Sequence, residues 1–530
     1  MTRTRLVMLS LAVVFSCLGL RGAFVAMRGV APETGIARLG PEVTRRADIV
    51  DRNGELLATS VTVYSLFADP RAIWNADDVV DGLLTVFPDL DRGRISARLE
   101  DRDRAFVWVR RGLTPRQRQA VFDLGLEGLG FRAESHRAYP RGTQAGHVLG
   151  HTDIDGVGRM GVERAMDGVL AEGGEALRLT LDSGVQFALE SELSQAAMRH
   201  DAVGAAGIVI DVASGEVRAM ASWPAFDPNR PAMASDTERL NRASGAVYEL
   251  GSVFKPLTVA SALEAGMVHP ADTFDLRTPL VVEGKAITDT HALSAIASVT
   301  EILAESSNIG TVQIAQKTGP RRLQSFFASL GLTTRAPIEI APSAAPIAPQ
   351  IWGDLSTATI SYGHGIAVTP LAFAHAMTAL ANGGEQPVLS LIAETEKADP
   401  ARVMSAPTAR VVTQMLRSAV LEGTGLRADV AGYRVAGKTG TAEKPVPGGY
   451  AADRNITSFA ALFPAHSPEY VVLIVLDDAR ALEGEGATAA WTAAPAAGRV
   501  IERIAPLLGV APRLEDVEDM PRASLDRRAL

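Results

Sequence analysis

The chain reads as an α+β protein whose main sheet is antiparallel and flanked by helices. Strand patterns stand at both ends of its downstream part, with helical patterns between and beside them. Residues 207–211 and 216–222 are apolar runs around Ala213-Ser214-Gly215, a hairpin signature. A second hairpin pattern, 458–463 and 470–476, surrounds a turn bounded by Pro464 and Pro468. Residues 182–200 and 487–504 have helical periodicity. Such an order predicts a domain whose first and last segments share one sheet.

The upstream elements follow in order. Residues 6–27 are apolar apart from Ser10, Ser16 and Arg21, and Arg3 and Arg5 precede them. This run of 22 residues, at about 1.5 Å each, gives roughly 33 Å of helix, enough to span a bilayer core. It predicts an uncleaved anchor, since no A-x-A-like cleavage site follows it. Arg21 would snorkel or face a partner. Residues 47–60 read as a hairpin turning at Asp51-Arg52-Asn53-Gly54. Residues 106–109 read as a strand, and Thr114-Pro115 as the cap and first residue of a helix to 124. The Gly- and Asp-rich run 146–161 lacks full calcium-loop spacing, so a structured turn is expected. A domain boundary is expected near Ala171-Glu172-Gly173-Gly174, and the charged tail 511–530 lacks apolar periodicity.

Composition narrows the function. A net charge of −9 argues against nucleic-acid binding. Cys17, the sole cysteine, excludes an internal disulfide framework and a cysteine-based zinc site. There is no phosphate-loop pattern and no H-E-x-x-H, so no metal or cofactor is called for.

Three motifs combine into one chemistry: Ser252-Val253-Phe254-Lys255, Ser306-Ser307-Asn308 and Lys438-Thr439-Gly440-Thr441. Ser252 is the only serine with a lysine three residues on, and Ser306 the only one with an asparagine two residues on. A serine hydroxyl needs a neighbouring base before it attacks a carbonyl. At i, i+3 on a helix Lys255 shares a face with Ser252, and burial or nearby positive charge frees its lone pair. Ser306 can pass a proton to a leaving amine, and Asn308 can donate to substrate backbone. Lys438 and Thr439 offer a cation and a hydroxyl to a carboxylate. The N–H groups of Ser252 and Thr441 fit an oxyanion hole.

Lysine usage points the same way. Of 52 basic residues only six are lysine, at 255, 285, 317, 397, 438 and 444, so arginine is the default cation. Lys255 stands where a group that can lose its proton is needed, and arginine would fail there. A second triplet, Lys317-Thr318-Gly319, ends a helical pattern and is followed by Pro320, so it reads as a helix terminus. Lys438 follows a strand-like approach over 433–437 and reads as the functional copy.

The motif set is the signature shared by β-lactamases and penicillin-binding proteins. With the flanks Tyr248-Glu249-Leu250-Gly251, Tyr362-Gly363-His364-Gly365 and Val435-Ala436-Gly437, the chain resembles a class B penicillin-binding protein, most like the division-specific peptidoglycan transpeptidase. Residues 46–54 and 155–163 resemble that family's pedestal, with Ala47 where glycine is usual. The resemblance implies a penicillin-recognising serine transpeptidase domain over 176–510, an elongated pedestal over 31–175, a cytoplasmic N-terminus and single transmembrane helix within 1–30, and a flexible tail over 511–530. It places Ser252, Lys255, Ser306 and Asn308 in catalysis, and Lys438, Thr439, Gly440 and Thr441 in substrate binding. It implies a periplasmic catalytic domain on the inner membrane that cross-links peptidoglycan stem peptides and is trapped by β-lactams. It also implies partnership with a SEDS-family glycan polymerase of the FtsW type and other division proteins. The rival readings are an elongation-specific enzyme of the same class, a hydrolase with the same acylation residues, and a membrane-anchored scaffold or penicillin sensor.

Overall fold

The computed structural model describes residues 45–290, 294–393 and 398–513, and Ser16. Apart from Ser16, the expected anchor at 6–27, with Cys17 and Arg21, lies outside the described residues, as do Lys397 and 514–530. Among the described residues no helix is long and apolar enough to cross a membrane.

Two compact units emerge from the described residues. One holds 62–136; the other holds 45–61 together with 137–513. In the smaller unit the strand Val107–Leu113 pairs antiparallel with the far part of the strand Leu56–Ala68, placing Trp108 opposite Phe67. Helices Ala76–Val86, Arg92–Glu100 and Pro115–Asp123 close over Leu66, Val80, Leu83, Phe87 and Leu99. Thr114 caps the third of these in a capping box with Gln117.

In the larger unit the expected hairpin turns at Asp51, whose buried carboxylate accepts the N–H groups of Asn53 and Glu55 at 2.8 Å each and of Ser183 at 3.0 Å. Nearby, the fully buried Glu163 lies between Arg46 (2.5 Å) and Arg137 (2.6 Å), tying together the two stretches that resemble a pedestal. Ala47 adopts no left-handed backbone and is buried, its N–H donating to the Leu170 carbonyl, so the alanine sits without strain where glycine is usual. The Gly- and Asp-rich run forms a turn in which Asp153 Oδ1 accepts from Asp155 and Val157 N–H.

The main sheet has five antiparallel strands: β1 (Gly204–Asp211), β2 (Val217–Trp223), β3 (Ala436–Val446), β4 (Gly449–Phe463) and β5 (Tyr470–Asp477), in spatial order β3-β4-β5-β1-β2. The first strand pairs with the last, Gly204 opposite Asp477. Every residue of β5 is buried, because the sheet is covered on both faces and period-2 alternation then leaves no polar side. Val209, Phe459 and Ile474 face helices α1 (Ser183–Arg199) and α4 (Ala493–Leu507). Ile208, Ala460 and Leu473 face the helical layer that contains α2 (Lys255–Glu264) and α3 (Asn308–Thr318).

Two expected boundaries move. The strand read as approaching Lys438 begins at Ala436 and runs through the motif to Val446. Glycine in a strand reads as punctuation, yet Gly437 and Gly440 are there because neighbours pack against their backbones: a Cβ on Gly437 would stand 2.6 Å from the Phe459 ring. The last helix starts at Ala493, since residues 487–492 form turns in which Thr492 bonds to Thr457 and the Thr488 carbonyl.

Candidate active site

Ser252, the expected nucleophile, sits on a 3-10 turn, Gly251–Phe254, which continues into α2 at Lys255. An α-helical i, i+3 pair was expected; in a 3-10 turn residues three apart eclipse, which aligns Ser252 and Lys255 more closely. Gly251 makes the turn possible. Its φ of +63° is left-handed, and a Cβ there would stand 2.9 Å from the Thr441 carbonyl oxygen. That close approach puts the serine turn directly against β3. Gly440 is tighter still, since a Cβ would meet the Leu250 carbonyl oxygen at 2.2 Å.

Lys255 is fully buried. Its Nζ donates to the Ser306 carbonyl at 2.5 Å and to Ser306 Oγ at 3.1 Å. Among the described residues no hydrogen bond links Nζ to Ser252, a contact that tightens only when substrate is present in many enzymes. Burial holds the Lys255 ammonium well below the usual lysine range, the positive charge of Lys438 adds to this, and Asp289 opposes both. Burial and a neighbouring positive charge both favour the neutral form, the form the expected base needs.

Ser306 has a left-handed backbone, φ +65°, at the turn before α3. Asp289 holds that turn in place: Ser307 Oγ donates to it at 2.8 Å and Ile309 N–H at 3.1 Å, with Asn308 N–H at 2.5 Å. A carboxylate on the first N–H groups of a helix is favourable for hydrogen bonding and for the helix dipole. Asn308 Nδ2 donates to the Thr288 carbonyl at 3.0 Å, so its amide is already engaged with backbone.

On β3, Lys438 is buried and its pKa is pushed down to about 7, chiefly by burial, with Glu305 pulling the other way. Thr439 Oγ1 shares a 2.5 Å hydrogen bond with Thr424. Thr441 Oγ1 accepts from Ala489 N–H at 3.1 Å. β3 is an edge strand, so one of its sides is unpaired within the sheet. The second triplet is elsewhere: Lys317 lies in the last turn of α3 over the Phe274 ring, and Gly319 ends the helix at φ +83°.

The structure thus brings Ser252, Lys255, Ser306, Lys438, Gly440 and Thr441 to one place. Asp289 and Thr424 were not anticipated; each acts through a partner distant in sequence, and neither lies in a motif. Lys444 pairs with Asp477 across the sheet.

Residues 205–498 match the penicillin binding protein transpeptidase domain, and residues 41–208 match the penicillin-binding protein dimerisation domain. The chain belongs to the class B penicillin-binding proteins. This penicillin-binding protein is 42% identical over 487 residues to the probable peptidoglycan D,D-transpeptidase FtsI of Caulobacter vibrioides, covering 89% of this chain and 82% of that one. It is 28% identical to the peptidoglycan D,D-transpeptidase FtsI of Escherichia coli, covering 88% and 84%. Among solved structures it is similar to penicillin binding protein 3 of Mycobacterium tuberculosis, in the apo form, with a TM-score of 0.71, 27% identity and coverage of 90% and 99%. The same protein complexed with aztreonam gives a TM-score of 0.71 at 26% identity.

Proposed function

We propose that this penicillin-binding protein is a septal peptidoglycan D,D-transpeptidase that works through an acyl-enzyme on Ser252 and is acylated there by β-lactams. The observation that carries this reading is Lys255: a buried lysine, its ammonium held well below the usual lysine range, between the serine turn and Ser306. Ser252 gives its proton to Lys255 as its oxygen attacks the penultimate D-Ala carbonyl of a donor stem. The oxyanion is held by the N–H groups of Ser252 and Thr441. Ser306, reprotonated through Lys255, gives a proton to the departing D-alanine. An amine of a second stem then attacks the ester, and Ser252 recovers its proton. Lys438 and Thr439 take the donor carboxylate, Asn308 and the free edge of β3 take the donor backbone, and Gly440 lets that strand lie close against the serine turn.

The resemblance and the relatives support the rest of the reading. A pedestal spans 31–175 and the transpeptidase domain 176–510, behind an anchor at 6–27 that keeps the enzyme on the outer face of the inner membrane. The enzyme works there with an FtsW-type glycan polymerase and other division proteins.

Mass spectrometry after incubation with labelled penicillin tests the chemistry: the adduct is expected on Ser252 alone and absent from Ser252→Ala. Labelling that persists in that variant would sink the assignment. A chain beginning at Ala31 is expected to be soluble and still acylated; recovery of a mature N-terminus near Ala26, or of lipid on Cys17, contradicts the anchor.

A further inference from the structure

A buried hydroxyl stands where the sheet passes closest to the serine turn. Ser458, within β4, lies between Ile456 and Ala460 on the face that meets the helical layer, while Phe459 points to the other face. In register its neighbour on β5 is Val475 and its neighbour on β3 is Gly440. The side chain is fully buried among these apolar groups, where a hydroxyl is costly unless it finds a partner. It finds one outside the sheet. Ser458 Oγ donates to the Leu250 carbonyl at 3.0 Å, with the Gly440 carbonyl a longer alternative at 3.5 Å. Leu250 is the residue that enters the 3-10 turn carrying Ser252.

This bond crosses an edge strand, and glycine lets it cross. A Cβ on Gly440 would stand 2.4 Å from Ser458 Oγ and 2.2 Å from the Leu250 carbonyl oxygen, so any side chain there would part donor from acceptor. One residue further along β3, the Thr441 carbonyl oxygen lies 2.9 Å from where a Cβ on Gly251 would be. The turn thus touches β3 at two successive residues, 250 on 440 and 251 on 441. Ser252 and Thr441, whose N–H groups hold the oxyanion in the reading above, sit at the end of this double contact. Close approach of backbones has no preferred direction, whereas a hydrogen bond does. The Ser458 bond also starts from β4, which is paired on both sides and is a firmer reference than the edge strand.

We propose that Ser458 is a positioning residue for acyl transfer: its hydroxyl fixes how deep the serine turn sits against β3 and so sets the spacing of the Ser252 and Thr441 N–H groups. The inference rests on the transpeptidase reading above. In the step it serves, Ser252 Oγ bonds to the carbonyl carbon, its proton passes to Lys255, and the carbonyl π pair moves onto the oxygen that both N–H groups hold. The same two groups serve the second half, in which an amine or water attacks the ester. Ser458 is fully buried and meets no substrate, so it acts on both rates through Leu250 and leaves affinity alone.

The test uses the full-length protein in detergent and stopped-flow acylation by a fluorescent penicillin, which separates the affinity of the first complex from the limiting rate of acylation. Ser458→Ala is expected to lower the limiting rate about 10-fold to 100-fold, up to the loss of one oxyanion donor, and to change affinity less than about 2-fold. Release of the penicilloyl group, which passes through the same oxyanion site, should slow by a similar factor. Ser458→Cys, a weaker donor of nearly the same shape, should recover part of both rates. Thr457→Val is the control. It removes a buried hydroxyl that bonds to Thr492 on the opposite face of the same strand, and should acylate within about 2-fold of the unaltered protein. Thermal unfolding of each variant sets its loss of stability beside its change in rate; if the alanine variant does not fold, the cysteine variant is read against the same control. A limiting rate equal to that of Thr457→Val, or a change in affinity alone, overturns the positioning role and leaves the transpeptidase reading standing. If penicillin does not label Ser252 in the unaltered protein, both fall.

Discussion

Lys255 Nζ stands 3.1 Å from Ser306 Oγ and is enclosed on every side by protein. The contact joins two of the three motifs through a group whose proton is easily lost. Lys255→Arg keeps the charge and removes that property, because a guanidinium stays protonated in proteins. Acylation by penicillin is expected to fall by at least about 1,000-fold, the scale of losing a general base. Lys317→Arg, at a helix end over Phe274, should acylate within about 2-fold of the unaltered protein, since either cation suits a helix C-terminus. Second-order acylation rates of the two variants, with circular dichroism to confirm folding, decide the matter; equal rates would remove Lys255 as the base.

The two buried lysines give the pH profile opposite limbs. Lys255 must be neutral to act, so acylation should rise with pH as it loses its proton. Lys438 must be charged to hold a carboxylate, and its pKa of about 7 means that affinity for a carboxylate-bearing β-lactam should fall as pH rises through neutrality. Each pH unit beyond that point costs up to about 10-fold in charged Lys438. Because the Lys438 charge is one cause of the lowered Lys255 pKa, Lys438→Gln should shift the rising limb towards alkaline pH. A rising limb that stays in place would show that the two lysines are not coupled. The rate profile of acylation from pH 5 to 10 reads all three effects.

The residues that the fold gathers around Ser252 were legible as motifs because serine acyl transfer demands particular side chains at short spacings. The sheet was legible because its strands are apolar on both faces and joined by recognisable turns. Asp289 was hidden: it acts on Ser307, Asn308 and Ile309 across a gap in sequence that no periodicity bridges. The start of β3 was misread for a related reason. Gly437 and Gly440 weaken any local strand signal, and only the packing of Phe459 and Leu250 against them explains why glycine is required. The serine turn is 3-10 because Gly251 must enter it with a left-handed backbone, which a bare i, i+3 spacing does not reveal.

Asp289 is a positioning residue for the Ser306 turn. Asp289→Ala leaves the first N–H groups of α3 without their acceptor, a loss on the order of 1–2 kcal/mol of stability. It also frees Ser306 and Asn308 to move, so acylation should fall further than global stability explains. Asp289→Asn keeps an acceptor oxygen and should retain more of both. Thermal unfolding and acylation rates of the pair check this; identical acylation in Asp289→Ala and the unaltered protein would limit Asp289 to a structural cap.

Glu163 is buried between two arginines, and removing it leaves Arg137 without a carboxylate partner and Arg46 with Asp167 alone. Glu163→Ala should destabilise the larger unit by about 3–5 kcal/mol, the usual consequence of breaking a buried pair by one partner. Denaturant unfolding measures it. A loss under about 1 kcal/mol would mean that water replaces the carboxylate and that the cluster contributes little.

Gly440 supplies the sharpest steric test. In the folded protein the space for its Cβ is occupied by the Leu250 carbonyl oxygen at 2.2 Å and Ser458 Oγ at 2.4 Å. Both belong to rigid neighbours, the segment entering the serine turn and the adjoining strand, so neither can yield cheaply. Gly440→Ala must therefore push β3 away from the turn, separating Thr441 from Ser252 and opening the oxyanion hole. Losing well-placed donors there costs roughly 100-fold to 1,000-fold in rate, so acylation should fall by at least that much. Gly168→Ala is the control, because nothing lies within 4 Å of its Cβ position. It sits in the helix Asp167–Glu172, where alanine should be neutral or stabilising by up to about 1 kcal/mol. Stopped-flow acylation and thermal unfolding of both variants discriminate the outcomes; a Gly440→Ala protein that acylates like Gly168→Ala would show that β3 and the serine turn need not be in contact for the chemistry.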